Sequence, residues 1–296
     1  KTETKRVLLA FSGMVLIAGA NAVAVRFTIR ELTPFWSAAL RFMAAATVFF
    51  VIMAILKVPF PKGKALAGDV VYGMLGFGLS YALFYWGVQE VPAGVAQVIF
   101  AFSPLFTVFL AALHGLEGIT SRRVLGALLA AGGFMVVFGD QLSANVPIPR
   151  LISLLLSAAV AAESMVVVKR FPRTNPVAKN AIGMASGAVL LLTLSTITGE
   201  SIFLPRQTTT WVALSYLVLP GTVLVFTFFL YVLNRWTASA SSYQFVLLPF
   251  VTVIYGYLLL DERISAIFAV GAALVIAGVY YGAVTATRSE RPGPAL

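Results

Sequence analysis

The sequence predicts an all-α membrane protein of ten transmembrane helices, built as two inverted five-helix repeats. Three observations carry that expectation. The 296-residue chain is 60% apolar and 11% charged, with a mean hydropathy of +0.95, whereas soluble domains carry about 25% charged residues. Its apolar residues gather into stretches long enough for a bilayer core, which needs about 20 residues of helix. Sliding the sequence by 145 positions also lays the end of its first half on the end of its second. This composition excludes a soluble enzyme, a disordered chain and a nucleic-acid-binding domain. With no Cys and one His, disulfides, thiol nucleophiles and Cys/His metal sites are excluded too, so neither a metal nor a cofactor is expected.

Ten stretches qualify as spans, at 7–25, 34–56, 70–88, 93–113, 124–138, 151–168, 177–198, 211–233, 239–260 and 264–285. Polar or Pro-bearing connectors separate them, leaving too little chain for a soluble domain. The first stretch follows Lys1, Lys5 and Arg6 and contains Ala18, Ala20 and Ala22, so it also reads as a signal peptide. The repeat needs it as the partner of the sixth stretch, and it is kept as a helix.

Cytoplasmic loops are enriched in Lys and Arg. With the N-terminus inside, fifteen of the 21 fall on the cytoplasmic side and five (Arg26, Arg30, Arg150, Arg206 and Arg263) on the other, while Arg41 lies within the second helix. The net charge of +10 is therefore a topology signal rather than a nucleic-acid footprint. It predicts a multi-pass protein of a bacterial inner membrane with both termini in the cytoplasm.

The repeat aligns 93–133 with 238–278 without a gap and with twelve identities in 41 positions, among them Phe100/Phe245, Pro104/Pro249, Glu117/Glu262, Gly126/Gly271 and Gly133/Gly278. It divides the chain into units 1–145 and 146–296. Five helices per unit is odd, so the copies are inverted, a hallmark of secondary transporters whose substrate site lies near the midplane between repeats. A duplicated static scaffold or a channel is the competing reading.

The junctions between helices four and five and between nine and ten share a pattern: Glu117, Ile119, Thr120, Gly126 and Gly133 in one, Glu262, Ile264, Ser265, Gly271 and Gly278 in the other. Upstream stand Pro34, Leu40, Arg41 and Phe42. Over nearly the whole chain this resembles the EamA-type drug/metabolite transporter superfamily, and within it the YddG-like aromatic amino-acid exporters. The resemblance implies a carrier that exports amino acids, aromatic ones and methionine among them, across the inner membrane by alternating access. The superfamily also includes multidrug exporters and exporters of other small metabolites such as nucleobases and sugar derivatives. The expected partners are a small-molecule substrate and the lipid bilayer, with no nucleic acid and the protein acting as a monomer. One departure is that Gly183 stands in the second repeat where the first has Arg41.

Candidate transport residues follow from polarity inside the spans. Pro104 and Pro249 remove one hydrogen bond each and kink their helices, freeing the carbonyls of Phe100 and Phe245. They are read as paired gating kinks, with plain packing kinks as the alternative. Arg41 and Glu163 are intramembrane charges, which by default mark function. Arg41 alternatively snorkels to the interface, and Glu163 alternatively packs as a neutral acid. Asn21, Ser80, Tyr81, Tyr85, Gln97, Ser103, Tyr243 and Gln244 add hydrogen-bonding groups, and Tyr81 and Tyr85 share a helical face.

For an amino-acid substrate, the freed carbonyls of Phe100 and Phe245 would accept from the ammonium. Tyr85, Gln244 or Arg41 would donate to the carboxylate, and Tyr81 with Phe100 would stack the side chain. Glu117 and Glu262 are expected to be structural, each favouring the dipole of the helix that follows it. Gly183 and Gly187 suit close helix packing. His114, at a helix end, has no expected partner. Without an acid pair or a Walker motif, movement down a gradient is expected, and Glu163 is the one site for proton coupling.

Overall fold

In a computed structural model the described residues are 2–115, 121–143, 146–233, 244–263 and 265–281, and every regular element among them is helical. Seven helical runs are long and apolar enough to cross a membrane: Lys5–Thr28, Pro34–Ile55, Gly63–Gly87, Ala93–Leu113, Ile148–Arg170, Pro176–Ile197 and Thr208–Phe229. Three shorter apolar helices, Val124–Val137, Leu247–Leu260 and Ala266–Val279, overlap the fifth, ninth and tenth expected stretches. The first two are the apolar parts of longer helices, Val124–Val137 within Ser121–Ser143 and Leu247–Leu260 within Gln244–Leu260, and the third is about 20 Å long at 1.5 Å per residue.

Several runs are broken inside. The first is α1 (Thr2–Gly19) and α2 (Asn21–Thr28), parted by a turn at Ala20. Next come α3 (Pro34–Ile55) and then α4 (Gly63–Gly73), which passes through a π-helical stretch, Met74–Leu79, into α5 (Ser80–Gly87). The fourth run is α6 (Ala93–Phe100) and α7 (Ser103–Leu113), followed by α8 (Ser121–Ser143), α9 (Ile148–Val167) and α10 (Pro176–Ile197). In the next run α11 (Thr208–Val218) enters a second π-helical stretch, Leu219–Leu224, before α12 (Val225–Leu233). The chain closes with α13 (Gln244–Leu260) and α14 (Ala266–Val279).

The two π stretches stand 145 positions apart, residue for residue, and both hold a glycine at the third position, Gly76 and Gly221. A π turn carries one extra residue per hydrogen-bonded loop and recurs at functional sites. Here Gly76, Gly78, Pro220 and Gly221 weaken the regular α ladder.

Glycines set the closest helix contacts. A Cβ at Gly133 would lie 2.5 Å from the Val275 nitrogen, and one at Gly278 would lie 2.4 Å from the Ala130 nitrogen. Thus the glycines that relate the repeats also join α8 to α14. Gly183 and Gly187 do the same for α10: a Cβ at Gly73 would reach the Gly183 carbonyl at 2.1 Å, and one at Gly187 the Phe77 side chain at 2.7 Å. This is the small-residue packing of membrane helices. Large apolar side chains such as Leu9, Ile55, Val189 and Ile197 face outward, 66–76% exposed, as suits contact with lipid.

The repeat-related prolines are handled differently, which corrects the expectation of matched kinks. Pro249 sits inside the unbroken α13. Pro104 falls in the first turn of α7, because the backbone has already broken at Ala101 and Phe102, where Phe102 N–H donates to the Ile99 carbonyl at 3.1 Å. A first-turn proline loses no helical bond and imposes no kink.

Candidate substrate cavity

The two π stretches face one cavity of about 220 Å³. Three pairs of positions 145 apart line it: Phe77 and Thr222, Ser80 and Val225, Tyr81 and Phe226. α1 and α2 add Ala18, Asn21, Ala22 and Val25, α3 adds Arg41 and Phe42, and α5 adds Phe84. Gln97 and Phe100 come from α6, Gly221 from the second π stretch and Leu248 from α13. The aromatic wall is interlocked. Phe42 meets Tyr81 edge-on at 4.7 Å and Phe77 at 5.3 Å, and Phe84 meets Phe100 at 5.8 Å, geometries that ring quadrupoles favour.

Arg41 turns inward rather than snorkelling and is 2% exposed. Its Nη2 donates to Thr222 Oγ1 at 3.2 Å, and Thr222 in turn donates to the Leu217 carbonyl at 2.7 Å. The guanidinium lies 5.2 Å from the Phe42 ring centre and 5.4 Å from that of Tyr81. No carboxylate among the described residues forms an ion pair with it. Removing an ion from water costs several kcal/mol, and desolvated cation–π contacts return about 2 kcal/mol. The cation is therefore only partly compensated.

Tyr85 is fully buried beside Arg41, and its hydroxyl has the guanidinium as its one polar neighbour, short of a well-formed hydrogen bond. It stands behind the cavity wall rather than in it. Asn21 Nδ2 donates to the Gly221 carbonyl at 3.0 Å, while its Oδ1 is buried and unpaired. A Cβ at Gly221 would lie 2.3 Å from that Oδ1, so the glycine lets Asn21 hold this position against the π stretch. Ser80 lines the cavity, but its hydroxyl is spent on the Ser157 carbonyl at 2.9 Å, and Ser157 returns a bond to the Ser80 carbonyl at 2.7 Å. This exchange ties α5 to α9.

Of the residues singled out from sequence, Asn21, Arg41, Ser80, Tyr81, Gln97 and Phe100 converge on this cavity. Ser103 is half-buried on α7 and does not line it. Gln244 and Phe245 open α13, with their side chains outside the described residues, and Tyr243 lies outside them altogether. Leu248, one turn after Gln244, does reach the cavity.

Glu163 is elsewhere. Its Oε1 accepts from His114 Nε2 at 3.0 Å, so the histidine expected to stand alone is paired. His114 caps the C-terminus of α7, where a cation is favoured. Thr222, Val225 and Phe226 were not anticipated. The 145-residue offset applied to Phe77, Ser80 and Tyr81, or the Pro220–Gly221 pair within an apolar stretch, signals them.

Glu262 is structural, but it does not serve the helix that follows it. Ser265 caps α14 through the Phe268 N–H at 2.9 Å. Glu262 instead accepts from Ala93 N–H at 2.8 Å and Gly94 N–H at 3.4 Å, capping α6 of the other half. Glu200 likewise accepts from Phe35 and Trp36 N–H at 3.2 and 2.9 Å, capping α3. Glu31 accepts from Arg206 N–H at 2.6 Å and Gln207 N–H at 3.2 Å at the start of α11. Each carboxylate comes from one half of the chain and caps a helix of the other, where the N–H groups and the dipole favour negative charge. Glu117 lies outside the described residues. At the opposite end of the bundle, Thr174 donates to Asp69 at 2.8 Å, and Arg170 donates to the His114 carbonyl at 3.2 Å.

Comparison with known proteins accords with this architecture. The EamA-like transporter family matches residues 5–139 and again 149–282. An uncharacterized transporter of Archaeoglobus fulgidus is 27% identical, covering 93% of this chain and 97% of its own length. The inner membrane transporter YedA of Escherichia coli K12 is 28% identical over 87% of this chain and 84% of its own. A probable amino-acid metabolite efflux pump of the same organism is 25% identical over 90% and 91%. One solved crystal structure shares the fold, with a TM-score of 0.63 at 19% identity, covering 97% of this chain and 99% of that one.

Proposed function

Since the chain belongs to the EamA-like transporter family and is a multi-pass membrane transporter, we propose that it exports amino acids across a bacterial inner membrane by alternating access. Aromatic amino acids and methionine are its favoured substrates. In this reading the units 1–145 and 146–296 are inverted five-helix repeats, the three shorter apolar helices complete ten spans, and the protein works as a monomer with both termini in the cytoplasm.

The observation that carries the reading is the cavity. Repeat-equivalent positions line it from both π stretches, as expected where a substrate sits on the axis between inverted copies. An aromatic wall offers area to an apolar side chain, and Arg41 offers a cation to a carboxylate. Asn21, Arg41, Tyr81, Gln97 and Phe100 contact the substrate, Tyr85 positions Arg41, and Gln244 and Phe245 are kept as substrate-binding candidates. Pro104 and Pro249 remain gating positions, acting through unlike backbone settings. The relative named as an amino-acid metabolite efflux pump supports the substrate class.

The test is counterflow in proteoliposomes across a metabolite panel. Saturable exchange of phenylalanine, tryptophan or methionine is expected, while flux without counterflow would indicate a channel. Tyr81→Ala should slow aromatic substrates several-fold more than small ones, whereas Tyr85→Phe, which acts through Arg41, should slow both alike. Exchange confined to drugs, nucleobases or sugar derivatives would replace the amino-acid assignment.

A further inference from the structure

Two polar groups of opposite character face this cavity without a carboxylate or a full set of partners: the Arg41 guanidinium, whose Nε has only the neighbouring Tyr85 hydroxyl to approach, and Asn21 Oδ1, a buried unpaired acceptor. Their side chains share an anchor. Arg41 Nη2 is held by Thr222 Oγ1, and Asn21 Nδ2 by the Gly221 carbonyl, so both rest on consecutive residues of one π stretch. Both side chains line the same cavity, anchored on neighbouring residues of that stretch. A buried polar group left unpaired costs about 1–3 kcal/mol, and more when it is charged. The cavity thus offers a cation at Arg41 and a free acceptor at Asn21.

An α-amino acid supplies both from one carbon. Resting on the amino-acid reading above, we propose that Arg41 and Asn21 form a head-group subsite that reads the α-ammonium and carboxylate as one unit. Arg41 takes the carboxylate and Asn21 Oδ1 the ammonium, while the rings of Phe42, Phe77 and Tyr81 receive the side chain. The ammonium acceptor is therefore the Asn21 amide rather than the carbonyls of Phe100 and Phe245. The subsite is not duplicated, because Gly183 replaces Arg41 in the second half, so each cavity binds one head group. An amine without a carboxylate is rejected, since its positive charge meets an uncompensated cation. A carboxylate without an amine still neutralises Arg41 and loses only the bond to Asn21.

Three probes with the same side chain test this by calorimetric binding to the purified full-length protein in nanodiscs: L-phenylalanine, 3-phenylpropionate and phenethylamine. The expected affinity order is the one just written, with phenethylamine at least about 100-fold weaker than phenylalanine, as in sites whose buried polar groups go unpaired with the wrong ligand. Arg41→Gln should remove the advantage of phenylalanine over phenethylamine. Arg41→Lys should keep the order with about a tenfold loss, because an ammonium lacks the guanidinium fork. Asn21→Leu should bring phenylalanine to or below the level of 3-phenylpropionate, since its ammonium then loses its acceptor. Equal binding of phenylalanine and phenethylamine, or ratios unchanged in the folded Arg41 variants, would overturn the subsite and leave the amino-acid reading standing. If none of the three binds while another metabolite class does, both fall.

Discussion

The two ends of the helical bundle are tied by different chemistry. At the end that is outer in the proposed topology, three carboxylates grip backbone N–H groups across the halves: Glu31 on α11, Glu200 on α3 and Glu262 on α6. Trp36 Nε1 reinforces this by donating to the Phe203 carbonyl at 2.6 Å, and Arg26 donates to the Val91 carbonyl at 2.7 Å. At the inner end the ties among the described residues are side chain to side chain or to a helix C-terminus, with His114–Glu163 and Thr174–Asp69 leading. The outer end also holds the Arg150–Glu90 pair at 2.6 Å and Arg26 at 3.9 Å from Glu262, so what sets it apart is the added set of backbone donors, which neither titrate nor change rotamer. The inner pair depends on both partners. In the proposed alternating-access reading these two ends would be the gates, and they are built to different specifications.

The largest effect should come from breaking the clasp. Losing a helix cap costs about 1 kcal/mol, with a range of about 0.5–2, and caps on separate helices should add. Glu200→Ala combined with Glu262→Ala should therefore shift the population toward an outward-open state by roughly tenfold or more. Single cysteines placed along the cavity of this naturally Cys-free chain would report it as faster labelling by a membrane-impermeant reagent from outside. Unchanged labelling in the double variant would mean that the carboxylates only cap helices.

A smaller shift of opposite sign is expected at the inner end. The His114–Glu163 pair is 19% and 28% exposed, and a hydrogen bond of this kind contributes about 1 kcal/mol. Glu163→Gln should raise cytoplasm-side labelling a few-fold and leave outside labelling unchanged. Transport down a concentration gradient should persist in this variant without an imposed pH gradient. If uphill accumulation in the wild type requires a pH gradient and disappears in Glu163→Gln, then this pair carries the coupling proton and the expectation of simple gradient-driven movement fails.

The smallest effect belongs to one of the two prolines and sharpens the contrast between halves. Pro249→Ala restores an N–H inside α13 and should straighten it, shifting accessibility measurably. Pro104→Ala, in the first turn of α7, should change stability and accessibility by under about 1 kcal/mol. Comparable shifts in the two variants would mean that the break at Ala101–Phe102 depends on Pro104.

Much of this was legible in one dimension. The 3.6-residue helix and the thickness of a bilayer leave few ways to arrange long apolar stretches, so seven of the ten expected spans coincide with long apolar helices, while the other three match shorter ones. Charge inside a hydrocarbon layer is rare enough that Arg41 stood out unaided. Asn21, Ser80, Tyr81, Gln97 and Phe100 were found because polar or aromatic groups within apolar stretches have few places to go. What the stretches did not reveal is which face each residue presents. Glu163 looked like Arg41 in sequence, but α9 directs it to His114 instead of the cavity. Tyr85 shares a face with Tyr81 yet is fully buried one layer behind it.

The sequence by itself determined the environment, the helical class, the family signature and the 145-residue repeat, because these rest on composition, periodicity and local spacing. Tertiary structure alone decided the partners. Which helix Glu262 caps, whether Pro104 kinks or merely begins a helix, and which neighbours hold Arg41 and Asn21 all depend on contacts between residues far apart in the chain. Glu262 meets Ala93 across 169 positions and Arg41 meets Thr222 across 181. A buried hydrogen bond forms wherever packing brings donor and acceptor to about 3 Å, and no local pattern records that distance.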